Sequence, residues 1–421
     1  MSGLMTVILN KVPSSANTLL LILFSIGFLA LAQDPFDFDL SDSQIKNPLQ
    51  VSGYIESRNQ YFTVQDDWSS NRLASFLELK WEDQASQAQQ WRAYSSLLLE
   101  YDSQTRAYRN SQRIEFKELY ILHDGANFDL TIGKQRVAWG TADGVSTIDR
   151  VNAVDLRDPI SNARTASKRP SWVVRNEFNL SGGILELIWL PRGRDRKLPE
   201  FGSPWEPAYL HALRVQNRSG RINFHIEDPH KHEGGIRYAT YGEGFDWSLA
   251  YFNGYTDSPV RQSITSSDVF LEPIRIQTFN ASGALGMAQG TLRAELAYTP
   301  NNIVSGKTTD LWQIVLGWDR NFFTNLYFNL QLFYNEASRG VDTYGSTFSI
   351  SNTSFDDAGS YGLRGQILDD NQLATEIYFE YDFNDKISSS CKYLFFDGDN
   401  GSGLFDYRDN DLFEATLRWN F

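Results

Sequence analysis

The chain closes on a strand whose two faces could hardly differ more. In the segment Asp411 to Phe421, Phe413, Ala415, Leu417, Trp419 and Phe421 fall on one face, and Leu412, Glu414, Thr416, Arg418 and Asn420 on the other. Successive side chains of a strand point to opposite sides of the sheet, so this alternation writes one apolar and one mainly polar face. Sixteen such stretches, bounded by turn residues, run through the sequence. They centre on Tyr54, Leu77, Leu97, Phe116, Leu130, Arg175, Leu187, Tyr238, Leu249, Ile276, Ala294, Ile314, Leu330, Tyr378, Lys392 and Leu417. The fourth, Arg113 to Leu122, does not alternate cleanly.

The polar faces are charged. Arg293 and Glu295 lie opposite Leu292, Ala294 and Leu296, and Glu376 and Glu380 lie opposite Ile377 and Phe379. Arg175, Glu177, Arg237 and Arg418 follow the same pattern. A sheet with an apolar outside and a charged inside is expected to be an all-β, transmembrane antiparallel β-barrel of about 16 strands, with both termini periplasmic. A charge facing lipid at mid-depth costs about 2–4 kcal/mol for Arg or Lys, so the charged face must line the lumen. The terminal strand, with Trp419 and the final Phe421, resembles the signal by which the barrel-assembly machinery recognises its substrates. A half-buried strand of a soluble sandwich is the competing reading.

The opposite end of the chain agrees with export. Leu19 to Leu31 is nearly continuous apolar sequence after Lys11, and it closes on Ala30-Leu31-Ala32 before Gln33. This is the layout of a secretory signal peptide and is short for a membrane-spanning helix. Residues 1–32 are therefore expected to be a signal peptide, 33–47 a short acidic periplasmic lead-in, and 48–421 the barrel. After Ala32 no run reaches a dozen consecutive apolar residues.

Mean hydropathy is −0.39, but alternating strands hide an apolar face from such averages. Aromatics make up 14% of the 421 residues, enough to furnish rings at both membrane interfaces. The net charge of −14 argues against nucleic acid as a partner. Cys391 is the single cysteine, so an internal disulfide is excluded.

The joins sort by length. Short ones follow the even stretches, such as His123-Asp124-Gly125 and Ser181-Gly182-Gly183. Long ones follow odd stretches, at about 137–170, 191–234, 254–271 and 337–371. Short turns on one side and long loops on the other is the plan of an outer-membrane barrel.

The most distinctive local stretch is Ile132-Gly133-Lys134-Gln135-Arg136-Val137-Ala138-Trp139-Gly140, followed by Asn152-Ala153-Val154-Asp155-Leu156-Arg157. It resembles a family of porin-like bacterial outer-membrane proteins of uncharacterised type. There a strand ends in Gly-(Lys/Arg)-Gln, then come Trp-Gly and an Asn-Pro-x-Asp segment; Ala153 stands here where Pro is usual. The resemblance implies an outer-membrane passage protein, with hydrophobic compounds and inner-membrane exporters as associations. It implies no catalytic residues.

The 137–170 loop carries Asp143, Asp149, Arg150, Asp155 and Arg157. Folded inward, it would narrow the pore with opposed charges; packed on the wall, it would seal it. Likewise the lumen charges would form a hydrated passage or merely brace the wall.

His225-Ile226-Glu227-Asp228-Pro229-His230-Lys231-His232-Glu233 fits no established zinc spacing and reads as a solvated loop. No G-x-S-x-G, P-loop or H-E-x-x-H occurs. The expectation is therefore a non-enzymatic passive channel for small solutes in the outer membrane of a Gram-negative bacterium, with no cofactor and no metal. Its partners would be membrane lipid, lipopolysaccharide, the assembly machinery and possible further copies of the chain. The alternative is a plugged barrel serving an export system for hydrophobic compounds.

Overall fold

The computed structural model describes residues 48–65, 67–83, 90–102, 112–157, 168–194, 196–228, 231–257, 259–265, 267–287, 290–304, 306–369, 372–399 and 404–421. The expected signal peptide and lead-in, and Asp158 and Arg164 of the 137–170 loop, lie outside these residues. In chain order the strands are β1 (Leu49–Phe62), β2 (Asp67–Glu82), β3 (Gln90–Asp102), β4 (Gln112–Asp124), β5 (Phe128–Gln135), β6 (Ser171–Leu180), β7 (Gly183–Leu190), β8 (Asn223–Ile226), β9 (Glu233–Thr240), β10 (Phe245–Tyr255) and β11 (Arg261–Thr265). They continue as β12 (Asp268–Glu272), β13 (Arg275–Met287), β14 (Gly290–Val304), β15 (Lys307–Phe322), β16 (Leu326–Ala337), β17 (Thr343–Ser354), β18 (Gly359–Leu368), β19 (Gln372–Asn384), β20 (Ile387–Asp397) and β21 (Leu412–Asn420). One helix, α1 (Ala208–Arg218), stands between β7 and β8.

Eighteen of these strands form one antiparallel sheet, in which β1 pairs with both β2 and β21, so the sheet closes into a barrel. The remaining three, β8, β11 and β12, make a small separate sheet in the long loops. The expected count of about sixteen is thus corrected by two. The hairpin β17–β18 fills what reads in sequence as a loop at 337–371. Its outward face, Tyr344, Ser346, Phe348 and Ile350, is interrupted by Ser, and β18 carries Gly359, Gly362 and Gly365, so both lose the alternation that marks their neighbours. A hairpin adds two strands, so the alternation of short and long joins survives.

The uneven fourth stretch also has a cause. The β3–β4 register shifts between Ser96 and Leu97, where Ser96 pairs with Glu118 and Leu97 with Phe116. This bulge leaves Lys117 unpaired in the ladder and flips the alternation, so Ile114 and Phe116 face out before it and Leu119 and Ile121 after it.

Sidedness follows the sequence pattern. Ile314 and Leu316 are 41% and 51% exposed on the outer face, whereas Glu295 is 2% exposed inside. Outward aromatics gather at the two ends: Trp81, Trp91, Phe128, Phe245 and Phe383 near the short turns, and Trp172, Trp189, Trp312 and Tyr344 near the long loops. Phe421 exchanges two backbone hydrogen bonds of 3.0 Å with Gly53, placing the carboxyl end beside the start of β1 at the short-turn end. A Cβ on Gly53 would lie 2.9 Å from the Phe421 ring, so this position leaves room for the terminal aromatic. No described helix is long and apolar enough to cross a membrane.

Candidate functional site

The barrel's best-buried apolar cluster is inside the lumen. Val173 of β6, Ile188 and Leu190 of β7 and Phe252 of β10 turn apolar side chains inward near the loop end, and Val137, Trp139 and Val151 of the β5–β6 loop pack against them. Trp139 is fully buried. Its ring meets Phe252 edge-on, with centroids 6.3 Å apart, a usual spacing for an aromatic pair. Its indole N–H donates to Glu186 Oε2 at 3.2 Å. The first part of the loop, residues 136–151, is thus drawn into the barrel by burial.

Two residues beyond that anchor the loop meets β14, the second strand after β10 around the barrel. Glu295 of β14 receives it: the amides of Thr141 and Ala142 donate to Oε1 at 2.8 and 2.9 Å, and the Thr147 amide and Ser146 hydroxyl donate to Oε2 at 2.9 and 2.8 Å. On β16, Gln331 Oε1 accepts the amides of Gly144 and Val145 at 2.9 and 3.1 Å. The loop bends tightly over this carboxylate at Gly140, whose φ is +96°. A Cβ there would sit 2.3 Å from Glu295 Oε1, so only glycine permits the approach.

The conspicuous sequence stretch forms the root of the same loop. At Gly133, φ +140°, a Cβ would meet the Leu119 carbonyl oxygen at 2.2 Å. Asn152 is buried and ties three strands of chain: its Oδ1 accepts the Val137 amide at 2.8 Å, and its Nδ2 donates to the Arg169 and Gln135 carbonyls at 2.8 and 3.4 Å. Asp155 binds Arg157 at 2.6 Å and Arg169 at 3.1 Å, and Arg169 continues to Glu115 of β4 at 2.9 Å. Burial alone would raise the Asp155 carboxyl, but the hydrogen bond and charge of Arg157, with Arg169 behind it, hold it well below the usual carboxylate range.

The five expected constriction residues therefore occupy different places. Asp143 is about half exposed and faces β14 and β16, 3.6 Å from Arg293 Nε and 3.1 Å from Asn329 Nδ2. Arg150 donates to Gln313 of β15. Asp149 is buried 3.9 Å from Lys168, and Asp155 and Arg157 pair with each other on one side rather than across a gap.

The residues expected to line the lumen stand mostly in ion pairs. Arg175 bridges Glu177 and Glu186 at 2.7 and 2.8 Å, and Arg237 joins Glu186 at 2.7 Å. Arg293 meets Asp319 at 2.8 Å. Arg418 meets Glu56 at 2.6 Å. Glu376 lies between Arg364 and Lys392, and Lys392 continues to Glu414 at 2.9 Å. Glu380 is exposed, its carboxylate 3.5 Å from the Ser360 hydroxyl.

A second inward element carries no signal that sequence reasoning picked up. The chain between β7 and β8 leaves the wall at Arg194, which is 1% exposed and held by Glu233 at 3.0 Å and by Asp257. Asp257 lies beyond the end of β10; burial opposes its charge, yet Arg194, Lys168, Arg150 and Arg196 together keep its carboxyl below the ordinary value. The strap then reaches the far wall, where Trp205 is buried among Phe62 of β1, Leu394 and Phe396 of β20, Leu412 of β21 and Tyr407. The Ala208 amide donates to Asp406 Oδ2 at 3.0 Å, and Asn410 Nδ2 donates to the Pro204 carbonyl at 2.6 Å. Helix α1 follows, with Leu210 buried beneath it.

Between the strap, the 136–170 loop and the wall of β16 to β20 lies a cavity of about 900 Å³. Asp143, Val154, Leu156 and Lys168 of the loop line it, with Leu198, Trp205 and Leu210 of the strap. The histidine-rich segment lies apart: His225 stacks on Phe270 at 5.0 Å, the His232 carbonyl accepts from Arg275, and His230 lies outside the described residues.

The profile of a family described as "Protein of unknown function (DUF1302)" matches residues 26–317, a span that includes the Gly133–Gly140 and Asn152–Arg157 segments. No curated protein matches. Similar solved structures include Salmonella typhi OmpF in complex with daunomycin, with 11% identity, 89% of this chain and 97% of that chain covered, and a TM-score of 0.47. Another is a triple mutant of the Rhodopseudomonas blastica porin, with 14% identity, 89% and 100% covered, and a TM-score of 0.43.

Proposed function

The chain belongs to the DUF1302 family of proteins of unknown function, and we propose that it is a porin-like outer-membrane channel of a Gram-negative bacterium, narrowed by its inward-folded 136–170 loop. Small solutes would pass through it passively. The observation that carries this reading is the clamp onto Glu295 of β14, which holds the loop from β5 away from its own root, with a cavity of about 900 Å³ beside it. Support for the membrane comes from the exposed apolar belt, with Ile314, Leu316 and Leu417, between two rings of aromatics. The short-turn end, with the carboxyl terminus, would face the periplasm. Lipid and lipopolysaccharide would surround the barrel, and the assembly machinery would insert it through the strand ending in Trp419 and Phe421. The lumen wall is charged, but its charges stand mostly in pairs, and we assign the protein no catalysis.

The strap favours one second reading. It crosses the loop end of the barrel and is fastened by Trp205 to the far wall, as a plug would be, in a barrel that acts with an export system for hydrophobic compounds. Conductance in planar bilayers separates the two. The channel reading expects steady single-channel current from the wild type. A silent wild type with a conducting Trp205→Ala variant would establish the covered barrel instead, and silence of both, with folded protein, would overturn passage altogether.

A further inference from the structure

The cavity between strap and loop is built in two halves. Its upper part, at the loop end, is apolar: Leu156 of the loop, Leu198 and Leu210 of the strap, and Phe396, Leu404 and Tyr407 after and along β20. Below it, toward mid-barrel, the lining changes to polar groups on the inward positions of β16 to β19. The formal charges of that floor are already engaged. Arg364 pairs with Glu376, Asp143 takes Arg293 and Asn329, and Lys168 donates to the Asp149 and Asn152 carbonyls at 2.9 and 3.3 Å. Ser349, Gln366 and Tyr327 supply neutral hydrogen-bonding groups beside them.

An ionic solute would have to break one of these pairs to gain a counter-charge. Breaking the Arg364–Glu376 pair, whose side chains are 27% and 8% exposed, is costly, because the abandoned Glu376 stays buried; the half-exposed Asp143, 3.6 Å from Arg293, is held less firmly. A small sugar would leave the apolar half wetted and unused. A molecule with an apolar body and an uncharged, hydroxyl- or carbonyl-bearing head satisfies both halves at once, and a cavity of this size is ordinary for such a ligand. We infer that this cavity is a binding site for neutral amphiphiles, oriented with the apolar body under the strap and the polar head on the β16–β19 floor. The inference rests on the channel reading only in making the cavity a station on the route of passage.

The test uses three water-soluble probes on the full protein: p-nitrophenyl β-glucoside, glucose, and p-nitrophenyl phosphate. Binding is measured by equilibrium dialysis against protein in lipid nanodiscs, and block of potassium chloride current is measured in planar bilayers. The glucoside is expected to bind at concentrations at least tenfold below glucose and below the phosphate. Leu156→Ser and Phe396→Ser, each checked for heat-modifiable folded barrel, should each weaken glucoside binding several-fold and leave the weak glucose binding as it was. Equal binding of the glucoside and glucose by the wild type would overturn the inference, and needs no variant to be interpreted. Binding of the phosphate as tightly as the glucoside would overturn the neutral head. Preferential dialysis binding in a protein that never conducts would sustain the site while the channel reading fails; current without glucoside preference would do the reverse.

Discussion

Replacing Glu295 tests whether the loop is held where the structure places it. Four well-formed hydrogen bonds of 2.8–2.9 Å converge on its carboxylate, three of them from the backbone amides of Thr141, Ala142 and Thr147. Ala142 and Thr147 are buried, at about 2% exposure. A buried donor left without its acceptor costs about 1–3 kcal/mol. Three stranded amides would together cost roughly 3–9 kcal/mol. Water can enter the space vacated in Glu295→Ala, so the lower end applies, about 3 kcal/mol. At about 1.4 kcal/mol per factor of ten, the locally open loop should become on the order of 100-fold more populated. Hydrogen exchange followed by mass spectrometry reads this directly: the amides of 141–147 should exchange on the order of 100-fold faster than in the wild type, while the wall strands keep their protection. Glu295→Gln retains one acceptor oxygen but turns an N–H toward donors, so it should fall between the two. Glu380→Ala, which removes an exposed carboxylate with one 3.5 Å contact, should leave the loop unchanged. Wild-type exchange across 141–147 in folded Glu295→Ala would refute the clamp.

Gly140→Ala should reproduce much of that effect, because its Cβ would lie 2.3 Å from Glu295 Oε1 and φ is +96°; the same exchange measurement decides it, and normal protection would count against a close fit. Ile314→Arg should destabilise the barrel by about 2–4 kcal/mol in urea unfolding from lipid vesicles if it sits near mid-bilayer, and Arg293→Ala should cost much less; the reverse order would contradict the observed register. Deleting Phe421, which packs on Gly53 and closes β21 against β1, should lower the amount of heat-modifiable protein in the outer-membrane fraction, and unchanged amounts would remove the terminal residue from any role in assembly.

Much of the barrel was legible because its physics is local. A strand with one lipid-like face must alternate, and the inward Arg293 and Glu295 against outward Ile314 and Leu316 could be read residue by residue. Legibility failed where the pattern was overwritten by other constraints. The bulge opposite Ser96 inserts Lys117 and shifts the phase of β4 midway. In β17 and β18, Ser346, Gly362 and Gly365 stand where a wall strand usually shows larger residues, so turn composition outweighed alternation. Inward folding of the loop was one of two readings that its length and mixed charges left open. Its clamp was not legible, since Glu295 looks in sequence like any other wall carboxylate. The strap was missed entirely: Trp205 finds Phe62, Leu394 and Leu412 from three distant strands, and no local spacing announces such a meeting.

The pairing of the wall charges changes where selectivity can reside. Arg58, Glu414, Lys392, Glu376 and Arg364 run as one chain of alternating sign from β1 back through β21 and β20 to β18. Arg175, Glu177, Glu186 and Arg237 make a second such group across β6, β7 and β9. The second group is balanced, two of each sign, whereas the first has three cations to two carboxylates and keeps one net positive charge; beyond a Debye length, about 8 Å at physiological salt, little of either is felt. Chains of mixed sign brace the wall and do not build the one-signed field by which a pore sorts ions. What differs along the lumen is therefore its shape and its apolar surface, and both are set by chain that folds in from the loop end. The loop after β5 is held inside by Trp139 and Glu295 and would set the width in the proposed channel, and the strap brings Leu198, Trp205 and Leu210 to the cavity. If the barrel conducts as proposed, discrimination among solutes would belong to the two loops more than to a wall whose charges stand mostly in pairs.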